Sequence, residues 1–280
     1  MAIRPEICLV VLDIDGTISG SANRVSEPVK LAVRSAQERG VKVAIATGRM
    51  YRSALRFHRE VGSDCPLISY QGALIKDPIT GQTVGHWAVD RSYALKLLED
   101  FAPYTATGSL SVHLYLDDNL YVKSITAQTL AYAQRSQVEA IAVGDLGEFI
   151  LCQDTDPTKV LALSDDPQII SELLTNLKNR YSQGELYLTK SVATYFEATN
   201  PIANKGTAVK YLAEEILGLT REQVMTVGDN FNDLEMISYA GIGVAMGNAP
   251  PDLQALADWI APDVEADGAA VAIERFILNQ

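Results

Sequence analysis

Two carboxylates, Asp13 and Asp15, directly follow a short apolar run near the start of the chain. The run, residues 7–12, has the length and the Val-Val pair typical of a strand that is buried on both faces. Residues two apart on a regular strand leave from the same face, so we expect both carboxylates on one side. Two anions at ~4 Å repel by roughly 4 kcal/mol at an effective dielectric of about 20. The pair therefore needs a cation or a proton between its members.

Three further segments place polar residues at the end of a predicted strand or the start of a predicted helix. They are Thr47-Gly48-Arg49, Asn204-Lys205-Gly206 and Gly228-Asp229-Asn230-Phe231-Asn232-Asp233. The carboxyl ends of parallel strands meet at one edge of a sheet, so these segments can converge with Asp13 and Asp15. Carboxylates without histidine or cysteine favour a hard cation such as Mg²⁺. Lys205 at a helix start adds positive charge and free N–H groups, which suit a phosphate. The set indicates a phosphoryl-transfer site.

The elements that would hold these residues follow a strand-helix-strand pattern at both ends of the chain. Pro28 opens a predicted helix, and residues 41–46 form a second strand, which a crossover helix makes parallel to the first. We expect the parallel pattern to return at residues 195–198, ahead of Lys205. The sequence thus predicts an α/β core with a parallel sheet, made of residues 1–82 and 191–280.

The middle of the chain has a different pattern. Residues 111–116 alternate in polarity, as expected for a half-exposed antiparallel strand. Strands come in pairs there, with helices between the pairs, which is typical of an α+β insertion. We place this insertion at residues 83–190. Linkers near residues 80–81 and 190–191 would join it to the core, and two such bodies move relative to one another by default.

Composition and charge limit the classes of partner. The chain of 280 residues is 48% hydrophobic and has a formal net charge of -12, without a basic run. This disfavours nucleic acid and anionic membranes as partners. No signal peptide is indicated, and no stretch approaches the ~20 apolar residues of a membrane span. The three cysteines show no metal-binding spacing and indicate free thiols in a reducing, cytoplasmic compartment. The sequence does not indicate an oligomeric state.

The four segments in this order resemble the motifs of the haloacid dehalogenase superfamily of phosphohydrolases. The matching residues are DIDGT from Asp13, TGR from Thr47, the lysine at 205, and GDNFND from Gly228. The resemblance covers both flanks of the chain. The insertion between TGR and Lys205 looks like the type IIB cap of that superfamily, and GVAMGNA at residues 243–249 is similar to its Cof-type branch. The implied fold is a Rossmann-like parallel-sheet core with an inserted α+β cap domain.

The resemblance implies an Mg²⁺-dependent phosphatase that hydrolyses a small phosphorylated metabolite, such as a sugar phosphate, through an aspartyl-phosphate. Asp13 would be the nucleophile, and Asp15 would protonate the leaving oxygen and then activate water. The Mg²⁺ ligands would be Asp13, the main-chain carbonyl of Asp15, and Asp229. The phosphate contacts would come from Thr47, Gly48, Lys205, Asn204 and Asn232. Asp233 would orient Lys205 or a metal-bound water.

Three other functions fit part of the pattern. A dehalogenase of the same superfamily needs no acid two residues after the nucleophile, so Asp15 argues against it. Phosphomutases of the superfamily usually carry their cap between the first two motifs, where this chain has only about thirty residues, enough for one helix. Receiver-type binding modules, which phosphorylation switches, also use acids, a hydroxyl and a lysine around Mg²⁺. They are smaller, lack the Asp-x-Asp pair and have no large insertion.

Four polar residues remain without a firm assignment. Gln71 stands where the Cof-type branch commonly has asparagine before Gly-Ala, and a role as a turn residue is an equally good interpretation. His86 and His113 lie on predicted strands of the insertion, where they would face either substrate or, more commonly for a lone histidine, surface or core. His58 is expected on a solvated helix face.

Overall fold

The strands form three sheets within residues 6–279, the part of the chain that the computed structural model describes. Strands are numbered in chain order. The five-stranded sheet contains β1 (Leu9–Leu12), β2 (Lys42–Ile45), β12 (Val224–Gly228), β13 (Ile242–Ala245) and β14 (Trp259–Ile260). The three-stranded sheet contains β3 (Leu67–Ser69), β4 (Leu74–Lys76) and β5 (Thr83–His86). The six-stranded sheet contains β6 (Ser111–Leu116), β7 (Asn119–Val122), β8 (Ala140–Ala142), β9 (Lys159–Leu163), β10 (Tyr187–Lys190) and β11 (Tyr195–Thr199).

Helices connect and cover the sheets. The α-helices are α1 (Glu27–Glu38), α2 (Tyr51–Val61), α3 (Arg91–Ala106), α4 (Ala127–Ser136), α5 (Leu146–Leu151), α6 (Pro167–Arg180), α7 (Lys205–Lys210), α8 (Leu234–Tyr239), α9 (Pro251–Gln254) and α10 (Gly268–Ile273). Helices α7 and α10 continue as π-helical turns over Tyr211–Ile216 and Glu274–Leu278. Short 3₁₀ turns cover Tyr70–Gly72, Arg221–Gln223, Phe231–Asp233 and Val264–Ala266.

The five-stranded sheet is parallel throughout and has the order β14-β13-β12-β1-β2. Strand β1 lies inside it and is buried along its whole length, as its apolar run predicts. Leu12 is level with Val227 of β12 and with Ile45 of β2. The residues that follow these three strands therefore leave the sheet at the same edge. The predicted Rossmann-like parallel core is confirmed.

Helix α1 shows why the sequence places helices beside this sheet. Ser26 caps the helix by accepting from the N–H of Val29, and a proline occupies the first turn, where its missing N–H costs nothing. The residues that face the sheet are all apolar and buried. They are Val29, Ala32, Val33 and Ala36.

The six-stranded sheet has the order β10-β11-β9-β6-β7-β8, and its neighbours are antiparallel except for β7 and β8. Helices α3, α5 and α6 cover one face, where Phe101, Ile150 and Leu173 pack in one cluster with Phe196. The other face belongs to the same apolar cluster as the parallel core, for example through Leu161. An α+β cap inserted into a parallel-sheet core is therefore confirmed as the fold.

Sheet pairing shows where the strands beside the two predicted edges of the insertion lie. Strand Thr83–His86 pairs with β4 of the three-stranded sheet, although the predicted boundary at residue 83 assigns it to the insertion. Strand Tyr195–Thr199 does not return to the parallel sheet, because it pairs antiparallel with β9 and β10. Both faces of this strand are covered, so it lacks the alternating polarity that would have indicated an antiparallel strand.

Two predictions from composition are tested by the structure. Cys8, Cys65 and Cys152 are free, as predicted. Among residues 6–279, we find no helix with the length and apolar character needed to cross a membrane.

Candidate active site

Asp13 lies at the end of β1, on the wall of a cavity between the five-stranded and six-stranded sheets. Its backbone N–H donates to the carbonyl of Val227, which extends the parallel ladder by one residue. Lys205 Nζ donates to Asp13 Oδ1 at 2.6 Å and to Asp233 Oδ1 at 2.5 Å, and the lysine side chain is 0% exposed. Burial acts to lower the pKa of Lys205, but the charges of Asp13 and Asp233 outweigh it, and the pKa is raised. The ammonium group is fixed between two carboxylates.

The start of α7 places Lys205 at this point. Asn204 is the N-cap residue, whose Oδ1 accepts from the N–H of Thr207 at 2.9 Å. The hydroxyl of Thr207 accepts in return from the N–H of Asn204 at 3.3 Å, which completes a capping box. Lys205 is therefore the first residue of the helix, where free N–H groups add to its charge.

Asp229 directly follows β12 and lies against the turn after β1. Its Oδ2 accepts from the side-chain amide of Asn248 at 3.3 Å. Gly16 has a φ of +83°, and a Cβ built on it would lie 2.1 Å from Asp229 Oδ2. Glycine supplies both the backbone conformation and the room for this carboxylate.

Three buried carboxylates meet beside Lys205. Oxygens of Asp13, Asp229 and Asp233 all lie within 4.8 Å of one another. Burial, and then the charges of neighbouring carboxylates, raise the pKa of Asp13 to about 7 and that of Asp229 to about 9, although Lys205 opposes both shifts. The cluster thus needs more positive charge than one lysine supplies. Oxygen donors without histidine or cysteine fit a hard divalent cation such as Mg²⁺.

The three carboxylates are not equally free to bind a metal. Asp233 Oδ1 accepts from Lys205, and Oδ2 accepts from the backbone N–H groups of Asp229 and Asn230 at 2.9 and 3.0 Å. Both oxygens of Asp233 are therefore already hydrogen-bonded. Asp13 and Asp229 are the better candidates for metal ligands.

Asp15 is bound by the arginine of the second motif. Arg49 Nε donates to Asp15 Oδ2 at 2.7 Å, and Nη2 donates to Oδ1 at 2.6 Å. Arg135 of α4 approaches the same carboxylate at 3.9 Å. Burial acts to raise the pKa of Asp15, but the hydrogen bonds and charge of Arg49 outweigh it, and the pKa is lowered. Arg49 therefore favours the ionised form of the Asp15 carboxylate.

Thr47 and Gly48 follow β2 at the same edge of the sheet. Thr47 is buried, and its hydroxyl accepts from the N–H of Arg49 at 3.2 Å. A Cβ on Gly48 would lie 2.4 Å from Gln71 Nε2, so Gln71 packs directly against this turn. Asn232 donates its amide to Gln71 Oε1 at 3.1 Å. The structure thus brings Gln71, which the sequence leaves open, to the two motif segments that carry Gly48 and Asn232.

The cavity above these residues has a volume of about 280 Å³. Its core side includes Asp13, Asp15, Thr47 and Asp229. Its other side comes from the insertion and the strand that follows it, and it combines polar side chains with the apolar Leu161 and Val192. The lining residues there include Tyr132, Arg135, Lys159, Ser191, Tyr195 and Glu197.

The family model of haloacid dehalogenase-like hydrolases matches residues 10–273. This chain belongs to that family. Phosphatase YwpJ of Bacillus subtilis is 30% identical over 96% of this chain and 99% of its own. The 5-amino-6-(5-phospho-D-ribitylamino)uracil phosphatase YcsE of the same organism is 31% identical over 98% of this chain and 97% of its own. A solved haloacid dehalogenase-like hydrolase from B. subtilis superposes with a TM-score of 0.84 at 26% identity, and covers 97% of this chain and 100% of that one.

The resemblance inferred from the four motifs is therefore confirmed, and this haloacid dehalogenase-like hydrolase is a phosphatase. The structure brings most of the predicted site residues of the hydrolase to one cavity. They are Asp13, Asp15, Thr47, Gly48, Asp229 and Asn232, with Lys205 and Asp233 buried directly behind them. Sequence reasoning assigned no role to Arg49, Lys159 and Glu197. Arg49 could have been found within its own motif, whereas the other two stand on strands whose partners the sequence does not show.

Asn204 is placed elsewhere. Its side chain caps α7 and lines a different cleft, beside Tyr187 and Phe231, so the predicted phosphate contact does not fit. A residue next to Lys205 is easily taken for a ligand when its short polar side chain in fact satisfies the helix start.

The histidines of the hydrolase lie away from the cavity. His58 is buried, and its Nε2 contacts the carbonyl of Cys65 at 2.8 Å, so the predicted solvated position is wrong. His86 Nε2 lies 3.0 Å from the hydroxyl of Thr158. His113 is fully buried, and burial lowers its pKa to about 3. Neither His86 nor His113 lines the cavity that contains Asp13.

Proposed function

We propose that this hydrolase is an Mg²⁺-dependent phosphatase that acts on a small phosphorylated metabolite with a hydroxyl-rich leaving group. The proposal rests mainly on the buried contact of 2.6 Å between Lys205 and Asp13 beside the cavity. A carboxylate at a cavity wall can attack phosphorus, and a cation next to it can neutralise the phosphoryl oxygens.

In the first chemical step, Asp13 would attack the phosphorus atom of the ester through a carboxylate oxygen. The bond between phosphorus and the ester oxygen would break, and the proton of Asp15 would go to that oxygen. Lys205 and the hydroxyl of Thr47 would hold phosphoryl oxygens. The products of this step are the free alcohol and an aspartyl-phosphate on Asp13.

In the second step, water would attack the phosphorus atom of the aspartyl-phosphate. Asp15, now ionised, would take a proton from this water, and the bond between phosphorus and Asp13 would break. Inorganic phosphate leaves, and both aspartates return to their starting forms. The hydrogen bonds of Arg49 favour the ionised form of Asp15 that this step requires.

Asp13, Asp229 and the main-chain carbonyl of Asp15 would hold the Mg²⁺ ion. When bound, Mg²⁺ would neutralise charge on the phosphoryl oxygens. We infer that Asp233 instead orients Lys205, because both of its oxygens already accept hydrogen bonds.

The size and chemistry of the cavity support the substrate class. A volume of about 280 Å³ suits a compact metabolite. Hydroxyl groups of Tyr132 and Ser191 and the guanidinium of Arg135 offer donors and acceptors to sugar or sugar-alcohol hydroxyls. The named substrate of YcsE, a phosphorylated ribityl compound, belongs to this class.

We propose that the cap extends from the end of β5 to the end of β11, where the six-stranded sheet gives way to α7. It would select the leaving group through the polar side chains that it contributes to its side of the cavity. Substitutions confined to that side, such as Tyr195→Leu, should change the ranking of esters by kcat/KM and leave the Mg²⁺ dependence unchanged.

Release of inorganic phosphate from a panel of sugar, sugar-alcohol and nucleoside phosphates, with and without Mg²⁺, tests the proposal. We expect turnover of at least one small hydroxyl-rich ester, its loss in EDTA, and its recovery on addition of Mg²⁺. Turnover in excess chelator would remove the metal from the mechanism. If no ester of the panel is hydrolysed, the proposed substrate class of small hydroxyl-rich phosphate esters is wrong.

A further inference from the structure

Lys159 connects the cap directly to the turn that carries the second motif. It begins β9, its side chain is 2% exposed, and it lies on the cavity wall. Its Nζ donates to the backbone carbonyl of Gly48 at 2.8 Å and to Glu197 Oε2 at 3.0 Å. Lys159 and Glu197 stand on neighbouring strands of the six-stranded sheet, whereas Gly48 belongs to the core.

Gln71 connects the same cap carboxylate to the fourth motif. Its Nε2 donates to Glu197 Oε2 at 3.1 Å, and its Oε1 accepts from the side-chain amide of Asn232 at 3.1 Å. A continuous series of hydrogen bonds therefore connects Gly48 to Asn232 through Lys159, Glu197 and Gln71. We call this set the cap–core chain.

The backbone beside these contacts is strained at two consecutive residues. Tyr70 and Gln71 have φ values of 53° and 60°, in the left-handed region that costs energy for residues with a side chain. Strain of this kind persists where the surroundings over-determine the conformation, and it gathers at functional sites. Tyr70 also reaches the cap, since its hydroxyl donates to Asp118 at 2.7 Å.

Stability alone does not explain a buried ion pair at this position. Well-packed apolar residues often replace such pairs without loss of stability, or with a gain. The cap–core chain ends on two residues of the phosphate-binding motifs, and the cap contributes Lys159 and Glu197 between them. A cap in any other position would leave the Gly48 carbonyl without Lys159 and the Gln71 amide without Glu197.

We propose that Lys159, Glu197 and Gln71 are positioning residues, through which the seated cap fixes Gly48 and Asn232 in the geometry for phosphoryl transfer. This inference deepens the proposed phosphatase function and rests on it. Lys159 would act on the Gly48 peptide through its carbonyl, and Glu197 would act on Asn232 through the amide of Gln71. The leaving group needs no contact with any of the three for this effect.

A double variant separates positioning from packing. Lys159→Met alone leaves the buried carboxylate of Glu197 without a counter-charge, so it should lower both Tm and kcat. Adding Glu197→Gln removes the unpaired charge, so Lys159→Met/Glu197→Gln should recover most of the Tm. We expect its kcat to stay low, on the order of 10-fold to 100-fold below the wild type, because the Gly48 carbonyl still lacks its donor. Lys123→Met, at an exposed cap lysine, is the matched control.

The same variants are measured on two esters with different leaving groups, p-nitrophenyl phosphate and a sugar phosphate. Positioning predicts an equal factor of loss in kcat on both. A kcat that recovers together with Tm would show that the ion pair only packs the interface. A loss confined to the sugar phosphate would make Lys159 a contact for the leaving group, and either result overturns the proposal.

Hydrogen exchange gives a readout that does not depend on turnover. With inorganic phosphate and Mg²⁺ present, the amides of residues 47–50 should exchange faster in the double variant than in the wild type and the Lys123→Met control. Unchanged exchange there would overturn the proposal even if kcat fell. If the wild type hydrolyses no phosphate ester, the proposed function fails, while the exchange measurement still decides whether the cap fixes this turn.

Discussion

Arg49 holds Asp15 through two parallel hydrogen bonds, from Nε to Oδ2 at 2.7 Å and from Nη2 to Oδ1 at 2.6 Å. Such a bidentate contact fixes the direction of the carboxylate as well as its charge. It favours the ionised Asp15 that would activate water, and it opposes the protonated Asp15 that would serve the leaving group. The balance between the two steps should therefore depend on this arginine.

Arg49→Met should raise the pKa of Asp15, because the group that lowers it is removed. Protonation of the leaving oxygen requires protonated Asp15, so the alkaline limb of kcat/KM for a sugar phosphate should move to higher pH. The pH profile for p-nitrophenyl phosphate, whose leaving group needs no proton, serves as the control. An alkaline limb that stays in place for the sugar phosphate would separate Arg49 from the acid function of Asp15.

The metal-free protein should lose stability as pH rises. Asp13 and Asp229 have pKa values of about 7 and about 9 when folded and ordinary values near 4 when unfolded, so the folded state binds more protons between these limits. Thermal unfolding in EDTA should give a Tm that falls from pH 5 to pH 9. Mg²⁺ should raise Tm more at pH 8 than at pH 5. Asp229→Asn should flatten the pH dependence in EDTA, and an unchanged slope would contradict the assignment.

Gly16→Ala should weaken metal binding. The new Cβ would lie 2.1 Å from Asp229 Oδ2 and displace that carboxylate. Gly40→Ala is a matched control, since Gly40 has a φ of +84° against +83° at Gly16 but no atom within 4 Å of its Cβ. Both variants should lose similar stability from backbone strain, and only Gly16→Ala should need more Mg²⁺ for half-maximal activity. If both variants need the same Mg²⁺ concentration, Gly16 is required only for the backbone conformation of the turn.

Asn204→Ala should lower stability by about 1 kcal/mol through loss of the helix cap, with kcat close to that of the wild type. Asn204→Ser, which can still cap, should recover most of the stability. Urea unfolding and initial rates on one ester check both points. A large loss of kcat in both variants would restore the phosphate contact that the sequence predicts and the structure does not support.

The sequence predicts the parallel half of the fold well because strand ends carry their own signals. Asp13, Thr47 and Asp229 each follow an apolar strand, so their convergence follows from the parallel sheet alone. The position of Lys205 at the site follows from its place at the start of a predicted helix. These inferences need only local pattern and one rule of topology.

The cap and its contacts could not be predicted in the same way. Glu197 lies 126 residues from Gln71 in the chain, and neither residue type reveals the other as a partner. Strand β11 is covered on both faces, so its pattern does not distinguish a parallel from an antiparallel strand. His58 stands among charged helix residues, yet its contact with the Cys65 carbonyl draws it into the interior.

Asp13→Asn gives the most direct test of the proposed chemistry, since the amide keeps the size of the side chain and removes the attacking oxygen anion. We expect kcat on the best ester to fall by about four orders of magnitude, with Tm not reduced. Asp252→Asn, at an exposed aspartate, should match the wild type. Wild-type protein is quenched with acid during turnover and then reduced with borohydride, which converts an aspartyl-phosphate to homoserine. We expect homoserine at residue 13 of the wild type and none in Asp13→Asn. An Asp13→Asn protein that keeps a substantial fraction of wild-type kcat would contradict the assignment of Asp13 as nucleophile.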